Sequence, residues 1–586
     1  MNRRRSWGAV AAAAAVTLTL AACSSSSGSS GTATSGAAGG GTTGFDAAVT
    51  SIVNPSDAKG GIVKMANSDV WDSLDPGNTY YGYSWNTVRL YGRSLVMFKP
   101  AAGDASTELV PDLAESLGKP SADAKTWTYT LRKGLKYEDG TAITSKDVKY
   151  AVERQIDKSV LVHGPTYIGD VLEGAEGYSS YKKGAKGLDS IETPDDQTIV
   201  FKLKTAFSGF DYFAMLPATI PVPQAKDTGA KYQEHVISSG PYKFSENKIG
   251  TGFKLVRNDQ WDPATDPNRT ALPDGYEFDE KVDANDIDAR LLSGDLDLAV
   301  EGTGVQSATQ AKLLSDPKLK ADADSTPLAR LWYTGINSDV APFDKIECRK
   351  AIEFGADKTA FQTAYGGPLA GGDIATNILP PLIPGAESFD TYPTANNAGD
   401  EAKAKEQLTA CGQPNGFETS ISYRPERPKE KAAAESLQQS LGKIGIKLTL
   451  KPYPAGDYFA LYGGNPAFAK KNGLGLIMMG WGADWPDGFG FLSQIVDSRV
   501  IRDAGNTNLG VKDPAVDALI DKALANTDVT SREKDWTSVD KKVMDDAYIL
   551  PGVWAKSLQY RSPNLTNVAF SSGLQGYDFT LLGKKS

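Results

Sequence analysis

Apolar and polar positions alternate over several short stretches of the first half of the chain. Trp127-Thr-Tyr-Thr-Leu131 and Ile199-Val-Phe-Lys-Leu203 each place every second residue on one apolar face, the period of a half-buried strand. Gly61–Ala66 predicts a further strand, as does Phe253–Arg257 after the Gly240-Pro241 break. Between them Glu138-Asp139-Gly140 marks a turn. Thr144 and Asp147 then give a capping-box spacing, after which Val148, Ala151, Val152 and Gln155 continue one face of a helix.

The period changes in the second half. Leu331–Thr334 is strand-like and leads into Asn337, and Cys348–Phe354 is helical. Asp357 is placed to cap a helix ending at Gly366. Glu430–Ile444 is amphipathic through Leu437, Leu441 and Ile444, and Ile446, Leu448 and Leu450 then alternate as a strand. Helix and strand in alternation predict a βαβ-type lobe with a mostly parallel sheet. Within such a sheet the uninterrupted apolar run Gly475–Met479 reads as a central strand buried on both faces. Gly480-Trp481-Gly482-Ala483-Asp484-Trp485-Pro486-Asp487-Gly488 follows its carboxyl end, where open α/β sheets bind ligands. Glycines there permit close approach, two indoles offer apolar walls and two carboxylates offer charge.

The N-terminus adds a destination. Arg3, Arg4 and Arg5 precede a small apolar run from Ala9 to Ala22, the layout of a secretory signal over residues 1–22. Leu20-Ala21-Ala22-Cys23 resembles a lipobox, in which Cys23 would carry the lipid; the alternative is an ordinary signal cleaved nearby. Residues 24–44 are almost entirely Ser, Gly, Thr and Ala, so residues 23–59 are expected to form a flexible tether. The body beyond, about 525 residues, is too long for one core and calls for at least two lobes.

A formal net charge of −10 excludes the basic footprint of a nucleic-acid binder. The chain has no GxxxxGK[ST] phosphate loop, and GxSxG and HExxH are absent too, so no motif supports an enzyme. With His163 and His235 as the only histidines, neither a His-based metal site nor a cofactor is expected. Cys348 and Cys411 remain once Cys23 is set aside; they are a disulfide in an exported chain or two buried thiols. The run Tyr80, Tyr81, Tyr83, Trp85 and Tyr91 is core packing or a stacking surface for a ligand. Asp147, despite its conspicuous setting, is a helix-start residue.

Five segments in order resemble the family 5 extracellular solute-binding proteins, the oligopeptide-, dipeptide- and nickel-binding class. They are Leu109–Ser116 with Trp127–Val148, Ser239–Tyr242, Leu291–Asp297, Gly335-Ile-Asn337 with Pro342–Asp344 and Arg349–Ile352, and Gly480–Asp487. The resemblance implies an α/β, two-lobe fold of type II with an extra subdomain. Lobe I would take residues 60–332 (subdomain about 81–191), lobe II 333–551, and 552–586 would return to lobe I. The two crossings near Arg330–Thr334 and Leu550–Trp554 would form a two-strand hinge. It further implies a monomer that closes on a peptide-like ligand and hands it to an ABC permease with its ATPases, on the outer face of the membrane. Asp484 would pair with the ligand's α-ammonium. Trp481 and Trp485 either pack on ligand or floor the cleft, and Tyr81 and Asn337 complete the candidate ligand set. Asp487 competes with Asp484, with a turn or cap carboxylate as its other reading. Alternatives are an oligosaccharide, opine or metal chelate on the same fold, and, from other classes, a signalling lipoprotein or secreted hydrolase.

Overall fold

The computed structural model describes residues 44–207, 209–300, 304–526 and 528–585. The signal segment, Cys23 and most of the expected tether lie outside the described residues. The tether ends earlier than expected. Ala47–Thr50 is helical, Ala48 is fully buried and donates its N–H to Asp324, and Val53 bridges Val568. Hydrogen bonds between Asp46 and both Ala323 and Ser325, and from Asn54 to Leu565 O, tie the same stretch to the body.

The first lobe is built on a five-stranded sheet. Ile62–Ala66 runs parallel to Gly275–Asp279 on one side and to Leu298–Ala299 on the other, and Gly252–Arg257 and Tyr242–Lys248 extend it antiparallel. A smaller sheet holds Thr126–Thr130 against Thr198–Lys202, each with alternate residues buried as the period required. The helix Ser145–Ile156 beside it starts at the Thr144–Asp147 capping box, whose carboxylate accepts the Thr144 N–H at 2.8 Å.

The second lobe carries a six-stranded mixed sheet. Its order is Gly372–Ile374, Ile549–Tyr560, Ala323–Ile336, Leu474–Gly482, Glu418–Tyr423 and Lys447–Pro452. Glu418–Tyr423 is parallel to both its neighbours, through the helix Pro428–Gly442 on one side. The expectation of a mostly parallel sheet is corrected by the other half. Ala323–Ile336 and Ile549–Tyr560 cross from the other lobe in opposite directions and pair antiparallel, Leu331 opposite Trp554 and Thr334 opposite Leu550. The antiparallel pair of Ala323–Ile336 with Leu474–Gly482 then brings Arg330 opposite Gly482.

Both faces of this sheet are covered. Leu474, Ile477, Met479 and Trp481 enter one core with Leu331 and Tyr333, while Leu476 and Met478 enter another with Trp332 and Ile336. That is why the run reads as continuously apolar. The Trp332 ring lies directly across Gly480, where an added Cβ would sit 1.8 Å from a ring carbon, so only glycine allows the two strands to pack.

Cys348, on the helix Ile346–Gly355, is disulfide-bonded to Cys411 at the end of the helix Glu401–Ala410. The crosslink closes a 63-residue separation, a loop for which the chain-entropy model gives about 4 kcal/mol of stabilisation. The double variant C348A/C411A is therefore expected to unfold at lower urea concentration than the wild type. Equal midpoints would show that the crosslink contributes nothing to the second lobe.

Candidate functional site

The strand Leu474–Gly482 delivers its carboxyl end to the space between the lobes. Gly480, Trp481 and Gly482 still belong to the strand, so the loop proper starts at Ala483. There a cavity of about 110 Å³ is walled by Trp481 and Asp484 from the second lobe, by Tyr80, Tyr81 and Trp85 from the first, and by Arg330 from the crossing strand. A second cavity of about 70 Å³ shares Tyr81 and Arg330 and continues to Arg424, Arg427 and Gln575.

Asp484 is held across the lobes. Its Oδ2 accepts hydrogen bonds from Tyr80 Oη at 2.8 Å and Tyr167 Oη at 2.6 Å, and its backbone N–H is donated to Gly490 O. Enclosure disfavours the charged carboxylate and pushes its pKa up to about 7, against the lowering effect of the two hydroxyls and the more distant Arg330. The same burial, beside this carboxylate, pushes both phenols well above their ordinary range, so they stay donors. A carboxylate held only by neutral hydroxyls still wants a cation.

Trp481 lines the cavity with its ring edge-on to Tyr80, centroids 5.6 Å apart, and fixes its indole by donating Nε1–H to Phe491 O. Tyr81 stacks on Tyr83 at 5.1 Å and donates its hydroxyl to Ala455 O, a second contact between the lobes. The structure thus brings Asp484, Trp481 and Tyr81 to one cavity. It does not bring the other three candidates there. Trp485 is buried behind it, stacked on Tyr212 at 5.6 Å and against Tyr167 at 4.8 Å, where it supports the tyrosine that holds Asp484. Asp487 caps the helix Gly488–Val496, accepting the Gly490 N–H at 2.7 Å and the Trp485 Nε1–H at 3.0 Å. Asn337 closes a turn just past the end of the strand Ala323–Ile336, where its Oδ1 accepts the Asp339 N–H and its Nδ2 donates to Leu474 O.

Sequence reasoning left out Tyr80 and Tyr167 as partners of Asp484, and it read Arg330 only as part of a crossing strand. The tyrosine-rich stretch carried a signal for Tyr80; nothing in the sequence placed Tyr167 317 residues away beside Asp484. Further contacts bridge the lobes around the cleft. Arg427 pairs with buried Asp69, Arg502 donates to Gly164 O, and Gln575 Nε2 donates to Ala483 O at 2.8 Å.

Two lobes joined by a pair of crossing strands hold a charged and aromatic cavity between them, the arrangement of a solute-binding protein. A model of the bacterial extracellular solute-binding proteins, family 5 Middle, matches residues 108–502, and the chain belongs to that family. It is 28% identical over 520 residues to heme-binding protein A of Haemophilus influenzae, covering 85% of this chain and 87% of that protein. The probable D,D-dipeptide-binding periplasmic protein DdpA of Escherichia coli K12 is 27% identical over 488 residues, covering 81% and 85%. Among solved structures, the clavulanic acid biosynthesis oligopeptide binding protein 2 superposes with a TM-score of 0.84 at 40% identity, covering 93% of this chain and 99% of that one.

The raised pKa of Asp484 has a signed consequence. Between the ordinary carboxylate value near 4 and about 7, folded Asp484 keeps a proton that the unfolded chain releases. Its contribution to stability is therefore present at low pH and is lost as pH rises through that window. D484N removes the difference: from pH 5 to pH 8 the wild type without ligand is expected to lose more urea resistance than D484N. Parallel pH profiles for the two proteins would contradict the burial assigned to this carboxylate.

Proposed function

We propose that the chain captures peptide-like solutes bearing a free α-ammonium between its two lobes and delivers them to an ABC permease. The observation that carries this reading is Asp484: a carboxylate facing the cavity between the lobes, held by two hydroxyls and by no cation among the described residues. An incoming ammonium supplies the missing charge. Because Tyr80 and Tyr167 come from the first lobe and Asp484 from the second, filling this site favours the closed arrangement. Relatives named for D,D-dipeptide and oligopeptide binding support the same solute class.

In this reading lobe I comprises residues 60–332 with a subdomain about 81–191, lobe II 333–551, and 552–586 returns to lobe I. The adjacent antiparallel strands at Leu331/Trp554 and Thr334/Leu550 are the hinge. Lipidation at Cys23 would hold the monomeric protein on the outer face of the cell membrane, where the permease reads closure.

Calorimetry with trialanine and N-acetyl-trialanine tests the proposal. A charge-assisted hydrogen bond is worth about 1.5–3 kcal/mol, so acetylation is expected to weaken binding to the wild type at least tenfold. It should cost D484N little. Equal affinity of the wild type for both peptides would overturn the role of Asp484.

A further inference from the structure

Three arginines border the second cavity, and two of them are spent. Arg424 grips Glu430 with its Nε and Nη2, the shortest bond at 2.7 Å, and Arg427 is paired with Asp69. The third is not. Among the described residues Arg330 makes no ion pair, and its buried Nε lacks any hydrogen-bond acceptor. Its guanidinium carbon stands 5.4 Å from the Trp332 ring centroid, and its remaining surface lines both cavities.

Such a cation is expensive. Stripping a guanidinium of water without supplying an anion costs several kcal/mol, and Arg424 and Arg427 repel it as well. Together with enclosure they draw its pKa down to about 10, while Asp484 acts on it only at a distance. The fold nevertheless makes room for it. Gly482, opposite Arg330 in the register, has no side chain, and an added Cβ there would lie 3.0 Å from Arg330 Nη2. Gln575 reaches the same point, and its Oε1 is buried without a donor, so an unused acceptor sits beside the unused cation.

We propose that Arg330 receives a carboxylate of the captured solute, which makes the ligand a zwitterion with its ammonium at Asp484 and its acid at Arg330. The ammonium end rests on the reading given above; the acid end rests on Arg330 alone. The guanidinium fork suits a bidentate carboxylate, and Gln575 Oε1 accepts a neighbouring ligand N–H. Since Asp484 and Arg330 wall one cavity of about 110 Å³, the two charges of the ligand lie close together. That selects a free amino-acid derivative or short peptide over a long extended chain.

The test is calorimetry of trialanine in four forms (free, N-acetylated, C-amidated and doubly blocked) against the wild type, R330Q and R330K. Amidation is expected to weaken binding to the wild type at least thirtyfold and to cost R330Q nothing further, with R330K between them. R330Q, relieved of an unpaired buried charge, should melt no lower than the wild type without ligand. An equal amidation penalty in the wild type and R330Q overturns the proposal, and so does an R330Q protein that melts lower yet treats acid and amide alike. The acetylated form reads Asp484 separately: an acetylation penalty without an amidation penalty fails Arg330 and spares Asp484, and the converse does the reverse. If no form of trialanine binds, mass spectrometry of the solute carried through purification decides. A solute with an acid group that R330Q no longer retains supports Arg330; one without an acid group, or one retained equally by R330Q, refutes it.

Discussion

Charge enclosed between two lobes without a full set of partners is the constraint around which this molecule is arranged. Asp484 has two phenol hydroxyls for company and Arg330 has an aromatic face, yet neither is ion-paired among the described residues. Many other interior charges are matched, as in Arg154 with Asp75 and Asp227, Arg269 with Asp112 and Asp266, and Arg561 with Asp324. Asp484 and Arg330 wall the same cavity. A cleft that holds two opposite charges, neither of them ion-paired among the described residues, is one that a solute of matching charge can complete.

The rest of the architecture serves to bring these groups together. The crossing strand Ala323–Ile336 presents Arg330 on its way between the lobes, and the buried strand Leu474–Gly482, paired with it, ends at Asp484. Glycines at 480 and 482 let an indole and a guanidinium lie flat against that strand. Tyr80 and Tyr167 arrive from the first lobe, and Trp485 and Tyr212 brace Tyr167 from behind. The side-chain hydrogen bonds of Asp484 therefore both run from one lobe to the other. On the function proposed above, filling the cleft would favour this closed arrangement.

Much of this was legible in the sequence because local rules decided it. The alternation at Trp127–Leu131, the capping box at Thr144 and Asp147, the helix from Asp357 to Gly366 and the apolar run before Gly480 all form as their periods require. The glycine- and tryptophan-rich stretch after that run offered two carboxylates, and the family resemblance chose Asp484 over Asp487. What was not legible depends on register and long-range packing. The antiparallel half of the second sheet follows from strands that cross between lobes, which no local pattern announces. Asp487 and Trp485 share the chemistry of their neighbours, but a helix cap and a tyrosine bracket claim them instead. Arg330 stands in a strand like any surface arginine; only the pairing with Gly482 and the absence of an anion reveal it.

On the function proposed above, the cleft is completed by a solute carrying an ammonium. Native mass spectrometry of the protein purified without denaturation tests this most directly, with D484N prepared in parallel. The account predicts a retained solute with a primary amine on the wild type and its loss from D484N. A retained solute without an amine, or one held equally by both proteins, would contradict it.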